Sequence, residues 1–285
     1  MLESTGYVMN RNNAIGMFMG LYIGDALGGP LEFTSPNTGS PVTEMIGGGV
    51  HDLSVGEYTD DGAMSSCITN AYLNYKRFAP SAITQNFKQW RNRGAFGTRD
   101  RCFDIGTVTS EALVASSNKR PYGGASSYMT DGNGGIMRMA PHILFNHNNR
   151  TMAIAEAVAG SIITHGTGSC VAYTAMLAAE LYDGAEKADQ SLYGKGIDKP
   201  DGSVMGCYAS AWHSISHTNS FEDAVVHAVN KGGDADTVGA VTGMIAGRLY
   251  GYDAIPQRWL DKLFNCDELM SDADKLYDMG SKENT

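Results

Sequence analysis

The sequence predicts an all-α protein built from many short to medium helices, and three observations carry that reading. Apolar residues recur at helical spacing through most of the 285 residues. Period-2 alternation is scarce: the best strand candidates lie between Val42 and Tyr58, where glycines crowd them. Two rows of glycine are spaced by four, Gly16-Gly20-Gly24-Gly28 and Gly239-Gly243-Gly247-Gly251, an interval that places each row on one helix face.

Taken in order, the first glycine row predicts the first helix. Interior glycine costs about 1 kcal/mol per position relative to alanine, so four in a row imply close approach by a neighbouring helix in the core. Met64, Cys67, Ile68, Ala71 and Tyr75 form the stripe of the next helix, and Ile83, Phe87 and Trp90 repeat the pattern. A helix over Ile136–Phe145 follows a glycine-rich turn. Ile154, Val158 and Ile162 share a face, and Val171 to Tyr182 is rich in Ala and Leu. Tyr208, Ala211, Trp212 and Ile215 make a further stripe, Phe221 to Asn230 reads as a short helix, and the second glycine row makes the next. A last helix precedes a charged tail, from Ser271, that is expected to fray. Two stretches read as loops, 35–57 and 183–203, both punctuated by Gly, Pro and polar residues. Neither a shift in composition nor an internal repeat divides the chain, so residues 1–285 read as one domain.

Composition narrows the function classes. At 42% hydrophobic and 18% charged, the chain is not of disordered type. The 35 glycines follow no Gly-X-Y period. No continuous run of about 18 apolar residues occurs, which argues against a membrane span. The net charge of −10 repels phosphate backbones at long range and disfavours nucleic acid as partner. The five cysteines form no C-x-x-C pair, and Met1–Arg11 lacks the basic start and apolar run of a secretory signal. Free thiols, mostly small buried hydrophobes, in a cytoplasmic protein are the expectation.

Acidic and hydroxyl residues gather at helix starts beside the glycine rows. Thr59-Asp60-Asp61-Gly62 runs into the Met64 helix, Gly233-Asp234-Ala235-Asp236-Thr237 runs into the second row, and Glu32 follows the first. Helix capping and dipole compensation explain one such cluster. Each helix needs only one cap, however, and here two helices carry surplus carboxylates. Oxygen donors without His or Cys suit Mg²⁺ or Mn²⁺, and two clusters from distant segments could hold two ions about 4 Å apart. Capping and metal binding both remain open on the residues alone. Gly132-Asn133-Gly134-Gly135 could present backbone N–H groups to a phosphate, or be a plain turn. His51-Asp52 matches a phosphohydrolase dyad at a level close to chance, and His165, alone between two helices, is most simply structural.

Together these segments resemble the ADP-ribosylglycohydrolase family, the group typified by the dinitrogenase-reductase-activating glycohydrolase. The resemblance rests on Gly24-Asp25-Ala26-Leu27-Gly28 with Glu32, Thr59-Asp60-Asp61-Gly62-Ala63-Met64 and Asp104-Ile105-Gly106. It continues through Gly132-Asn133-Gly134-Gly135-Ile136-Met137-Arg138, Thr164-His165-Gly166 and Gly232-Gly233-Asp234-Ala235-Asp236-Thr237, in the family's order. It implies a compact orthogonal multi-helix domain with a binuclear metal cleft holding two Mg²⁺ or Mn²⁺. Thr59, Asp60, Asp61, Asp234, Asp236 and Thr237 would be the metal ligands, and Glu32 and Asp61 the catalytic pair. Asp104, Gly132, Asn133, Gly134, Gly135 and His165 would bind substrate. The implied activity is hydrolysis of an ADP-ribosyl bond on protein side chains, arginine first, or on a small ADP-ribose conjugate. A non-catalytic ADP-ribose-binding or structural member is the alternative. The partner would be an ADP-ribosylated protein or an ADP-ribose-containing small molecule, with no membrane and with nucleic acid disfavoured.

Overall fold

A computed structural model describes residues 9–37, 39–124, 130–184 and 200–282. Helices run α1 (Arg11–Gly28), α2 (Asp60–Tyr75), α3 (Pro80–Arg93), α4 (Thr107–Ala115), α5 (Ala140–Phe145), α6 (Arg150–Ile162) and α7 (Gly168–Asp183). They continue as α8 (Val204–Ser216), α9 (Phe221–Val229), α10 (Ala235–Tyr250), α11 (Gln257–Leu260) and α12 (Cys266–Lys282). Among the described residues, strand-like pairing is limited to isolated bridges such as Gly48 with Leu53, so the Val42–Tyr58 stretch forms no sheet.

The centre of the fold is the seam between α1 and α10. A methyl group placed on Gly24 would stand 1.9 Å from the Gly239 carbonyl oxygen, and one on Gly243 would stand 1.9 Å from that of Gly20. Gly16 meets Gly247 and Gly28 meets Ala235 in the same way, so the two helices run antiparallel with glycine facing glycine. Any side chain there would collide with backbone, which explains why α1 tolerates four glycines and α10 three. Gly251, the last of the second row, instead lies just past α10 at φ 84° and packs against Asn12. Around the seam, Phe18, Tyr22, Met64, Tyr72, Phe87, Trp212 and Trp259 are buried in one continuous apolar core.

Several expectations change in detail. The Arg11–Leu31 stretch is long and apolar enough to cross a membrane by length and composition, yet 94% of its most apolar window is buried inside the protein. It owes that apolarity to being the core helix. Tyr75 is 55% exposed, and Tyr72, three residues earlier, fills the core in its place. The helix expected from Ile136 starts only at Ala140, after turns that pack Ile136 and Met137 beneath the cleft. The charged tail does not fray at Ser271 but forms the middle of α12, whose Ala273 and Leu276 are buried. Most of the 183–203 loop, residues 185–199, lies outside the described residues. Of the cysteines, Cys67, Cys170 and Cys207 are buried, Cys102 and Cys266 are half-buried, and all five are free.

Candidate active site

The glycine seam delivers the last turn of α1 against the first turn of α10. That brings Asp25, fully buried on α1, beside Asp236 and Thr237. Asp25 then recruits a third helix. Its Oδ1 accepts from the Thr59 N–H (2.8 Å) and hydroxyl (2.9 Å), and its Oδ2 accepts from the Gly62 N–H at 2.8 Å. The N-terminus of α2 is therefore capped from another helix. Thr59, in the N-cap position of α2, and Asp234, in that of α10, make no side-chain cap bond. The surplus seen in the sequence is thus not consumed by capping.

The hydroxyls are outnumbered. Thr59 Oγ1, with one proton, lies 2.9 Å from Asp25 Oδ1, 3.1 Å from Asp236 Oδ2 and 3.3 Å from Asp61 Oδ2. Thr237 Oγ1 adds a long contact of 3.4 Å to Asp61 Oδ2. Asp61 Oδ1 and Asp236 Oδ1 are buried and accept no hydrogen bond at all. An orphaned buried acceptor costs about 1–3 kcal/mol, more when charged, so this arrangement needs a partner that brings positive charge.

Every carboxylate here is displaced the same way. Burial, followed by repulsion from Asp236, Asp104, Asp234 and Asp61, pushes the Glu32 carboxyl up to about 11. Burial and Asp236 raise Asp104 to about 8 and both Asp25 and Asp234 to about 7. Asp60 and Asp61 are held well above the usual range, and Asp236 above it, by burial first. Three sets of oxygen donors lie within 4.8 Å of one another: Asp25, Asp61 and Asp236; Glu32, Asp234 and Asp236; Asp60, Asp104 and Asp236. Asp236 belongs to all three. A hard divalent cation fits this set, because it supplies the missing charge and prefers carboxylate oxygens.

The cluster floors a cleft of about 360 Å³. One wall is the Asp104–Thr109 segment, in which Asp104 is held in the left-handed region (φ 53°), a strained conformation for a residue other than glycine. The opposite wall is the Gly132–Gly134 loop with His165. Gly134 has to be glycine, since a Cβ there would stand 2.5 Å from the His165 ring. The His165 ring is oriented from behind. Arg138 Nη2 donates to Thr164 Oγ1 (2.5 Å), and that hydroxyl lies 2.9 Å from His165 Nδ1. Burial and Arg138 lower the His165 pKa to about 3, so the ring is neutral.

A family model, the sequence relatives and one solved structure agree on what this arrangement belongs to. The family model described as ADP-ribosylglycohydrolase matches residues 8–194 and 178–285. The chain belongs to the ADP-ribosylglycohydrolase family. An ADP-ribosylarginine hydrolase of Serratia proteamaculans is 32% identical over 95% of this chain and 81% of its own length. One of Pseudomonas putida is 31% identical over 94% and 78%. The ADP-ribosyl-[dinitrogen reductase] glycohydrolase of Rhodospirillum rubrum is 26% identical over 89% and 90%. A solved chain from an ADP-ribosylglycohydrolase-related protein complex superposes with a TM-score of 0.83 at 32% identity, covering 95% of this chain and 98% of that one.

Within this glycohydrolase, Glu32, Thr59, Asp60, Asp61, Asp234, Asp236 and Thr237 gather in one cluster, and Asp104, Gly132, Asn133, Gly134 and His165 line the same cleft. Two residues sit differently from expectation. A Cβ on Gly135 would meet the Ser161 hydroxyl, so this glycine serves packing against α6. The Asn133 side chain donates to Asp234 Oδ2, which ties the glycine loop to the acidic cluster. Sequence reasoning gives no role to two residues here and only a chance-level dyad to a third. Asp25 lay inside a quoted motif, and its signal was a lone carboxylate on an otherwise apolar helix. Arg138 is fully buried, and burial lowers its pKa to about 10 against the opposing pull of Asp60, Cys67 and Asp61, so it remains a cation. His51, whose pairing with Asp52 is at chance level in the sequence, places Nε2 3.0 Å from Glu32 Oε2 and 3.2 Å from Asp104 Oδ1.

Proposed function

We propose that this glycohydrolase is a divalent-cation-dependent hydrolase that removes ADP-ribose from modified arginine side chains of proteins. The observation that carries the reading is the set of buried carboxylates with unpartnered oxygens at Asp61 and Asp236, facing a cleft with a glycine loop and a neutral histidine. The names of the relatives from Serratia proteamaculans and Pseudomonas putida point to arginine as the leaving group.

Thr59, Asp60, Asp61, Asp234, Asp236 and Thr237 would hold the metal, and Mg²⁺ or Mn²⁺, when bound, supplies Lewis-acid polarisation and eases ionisation of water. The backbone of Gly132 and Gly134 and the His165 ring suit the diphosphate of ADP-ribose. Glu32, at the mouth of the cluster, orients the attacking water and accepts its proton. Departure of the guanidine leaves oxocarbenium character on the ribose, which the fixed negative charge of the surrounding carboxylates stabilises without reorganisation. Asp104, which lines the cleft beside the acidic cluster, would contact the bound substrate.

A panel of arginine-, serine- and cysteine-linked ADP-ribosyl substrates, assayed with Mg²⁺, with Mn²⁺ and with chelator, tests this directly. Metal-dependent release from arginine, well above the other linkages, is the expected outcome. ADP-ribose binding without turnover of any linkage would instead make the chain a binding member of its family.

A further inference from the structure

We propose that His51 is a positioning residue for the catalytic carboxylates: its Nε2–H, set between Glu32 and Asp104, fixes the glutamate that handles the water. The proposal deepens the hydrolase reading and rests on it for the role of Glu32. The starting observation is a single nitrogen within hydrogen-bond distance of two carboxylates from different segments, Glu32 at 3.0 Å and Asp104 at 3.2 Å. Without this link, Glu32 stands at the end of a short 3₁₀ turn, and Asp104 stands on a left-handed backbone.

The protein devotes a support structure to the imidazole. His51 occupies the tip of a tight hairpin closed by paired Gly48 and Leu53 hydrogen bonds of 2.7 and 2.8 Å. The hairpin seats directly on the Glu32 turn, because a Cβ on Gly49 would lie 2.8 Å from Pro30 Cα. From the other side Arg99 grips the tip: Nη1 donates to the His51 carbonyl at 3.0 Å and Nη2 to the Asp52 carbonyl at 2.7 Å. Arg99 is itself locked by Glu57, with Nε to Oε1 at 3.0 Å and Nη2 to Oε2 at 2.6 Å. Its guanidinium lies 4.6 Å from the centre of the Phe103 ring. Phe103 also faces the His51 ring at 5.7 Å and immediately precedes Asp104. Arg99, Glu57 and Phe103 therefore fix the imidazole and one of its two acceptors as a unit. A solvated surface histidine would need none of this.

Two replacements separate the hydrogen bond from mere packing. His51→Phe keeps a ring and removes the donor; His51→Gln places an amide N–H near the Nε2 position. If the proposal holds, H51F lowers kcat on ADP-ribosyl-arginine by roughly 10- to 100-fold, the range for a lost outer hydrogen bond to a working group. KM and ADP-ribose affinity stay within about twofold, melting temperature is unchanged, and H51Q recovers most of the rate. Equal losses in both variants, or a loss shared by ADP-ribose binding and melting temperature, would show a structural role only. Nitrogen coupling in the electron paramagnetic resonance spectrum of Mn²⁺-loaded protein, absent in H51F, would make His51 a ligand and overturn the positioning role. Proton NMR reads the bond without turnover. A downfield, slowly exchanging Nε2 proton is expected, lost in H51F and in the E32Q/D104N double variant. Its absence from the wild type would refute the proposal even if the substrate assignment stood, and its presence would support it even if that assignment fell.

Discussion

Two buried acidic sites in this molecule are solved in opposite ways. Between α2, α5 and α6, Glu156 Oε2 accepts from the Tyr72 hydroxyl at 2.7 Å and from Asn146 Nδ2 at 2.5 Å, and the same hydroxyl meets His142 Nδ1 at 2.7 Å. A carboxylate is taken into the core there and surrounded by donors. At the end of the glycine seam, several carboxylates are brought together with too few protons among them, and oxygens of Asp61 and Asp236 are left bare. The fold can plainly satisfy a buried acid. Where it leaves one unsatisfied, the missing partner is a ligand, and the stability given up at that place is recovered when the ligand binds.

The sharpest way to break the contrast is to remove the unsatisfied side of it. Asp60→Ala with Asp61→Ala is expected to lower turnover of ADP-ribosyl-arginine by at least about 10³-fold, the scale seen when a transition-state electrostatic group is lost. The metal-free variant should melt no lower than the metal-free parent, because buried like charges have been deleted. A turnover assay checks the first half and calorimetry with and without Mn²⁺ the second; a variant that still gains melting temperature from Mn²⁺ would contradict the assignment. The seam offers a second break. Gly24→Ala puts a methyl 1.9 Å from a carbonyl oxygen, so α1 and α10 must separate and Asp25 must leave Asp236. The expected cost is about 3 kcal/mol or more, the upper range for overpacking a core. Gly168→Ala, with no atom within 4 Å of its Cβ, is the matched control and should be near neutral.

A change of pH should also tell the two sites apart. Asp25 and Asp234 are raised from 3.8 to about 7, and Asp104 to about 8, so the folded form holds protons that the unfolded chain has released. That contribution is complete below the unfolded value, near pH 4, and is lost as pH rises through about 7 to 8. Metal-free protein should therefore lose melting temperature between pH 5 and pH 8, on the order of a few degrees. Saturating Mg²⁺ or Mn²⁺ should flatten the slope, since the ion neutralises the carboxylates that repel one another. A melting temperature that rises with pH in chelator would contradict the electrostatic account.

How much of this was legible in the sequence follows from the kind of constraint each residue obeys. The seam could be read because a spacing of four has only one structural consequence in a helix. Thr59 to Asp61 and Asp234 to Thr237 could be read because surplus carboxylates at helix starts conflict with local needs. His51 could not, because its meaning comes from Glu32 and Asp104, one 19 residues before it and one beyond the next helix pair, and no periodicity joins them. Arg138 was quoted within a motif, yet only burial shows that it orients His165 through Thr164. The late start of α5 was hidden for a local reason: Ile136 and Met137 are apolar at helical spacing from Ala140, but they serve as turns that hold the glycine loop over His165.

The smallest expected effect belongs to the satisfied site, and it tests the premise of the comparison. Glu156→Gln keeps the shape and one acceptor oxygen while removing the charge that draws two donors together. If Tyr72 and Asn146 complete this acid as a structural group, the loss should be about 1–2 kcal/mol, the scale of a weakened charge-assisted hydrogen bond in the core. Mn²⁺ should raise the melting temperature of the variant by as much as it raises that of the parent. The two sites share α2, whose N-terminus carries Thr59 to Asp61 and whose Tyr72 reaches Glu156 three turns later. A rigid α2 could therefore transmit a disturbance from one to the other. If E156Q weakens the Mn²⁺-induced shift as well as the fold, the acidic cluster depends on the core network for its geometry, and the two sites are one mechanical unit. Independence of the two effects is the expected result, because Asp25, not α2 alone, sets where the cluster's backbone lies.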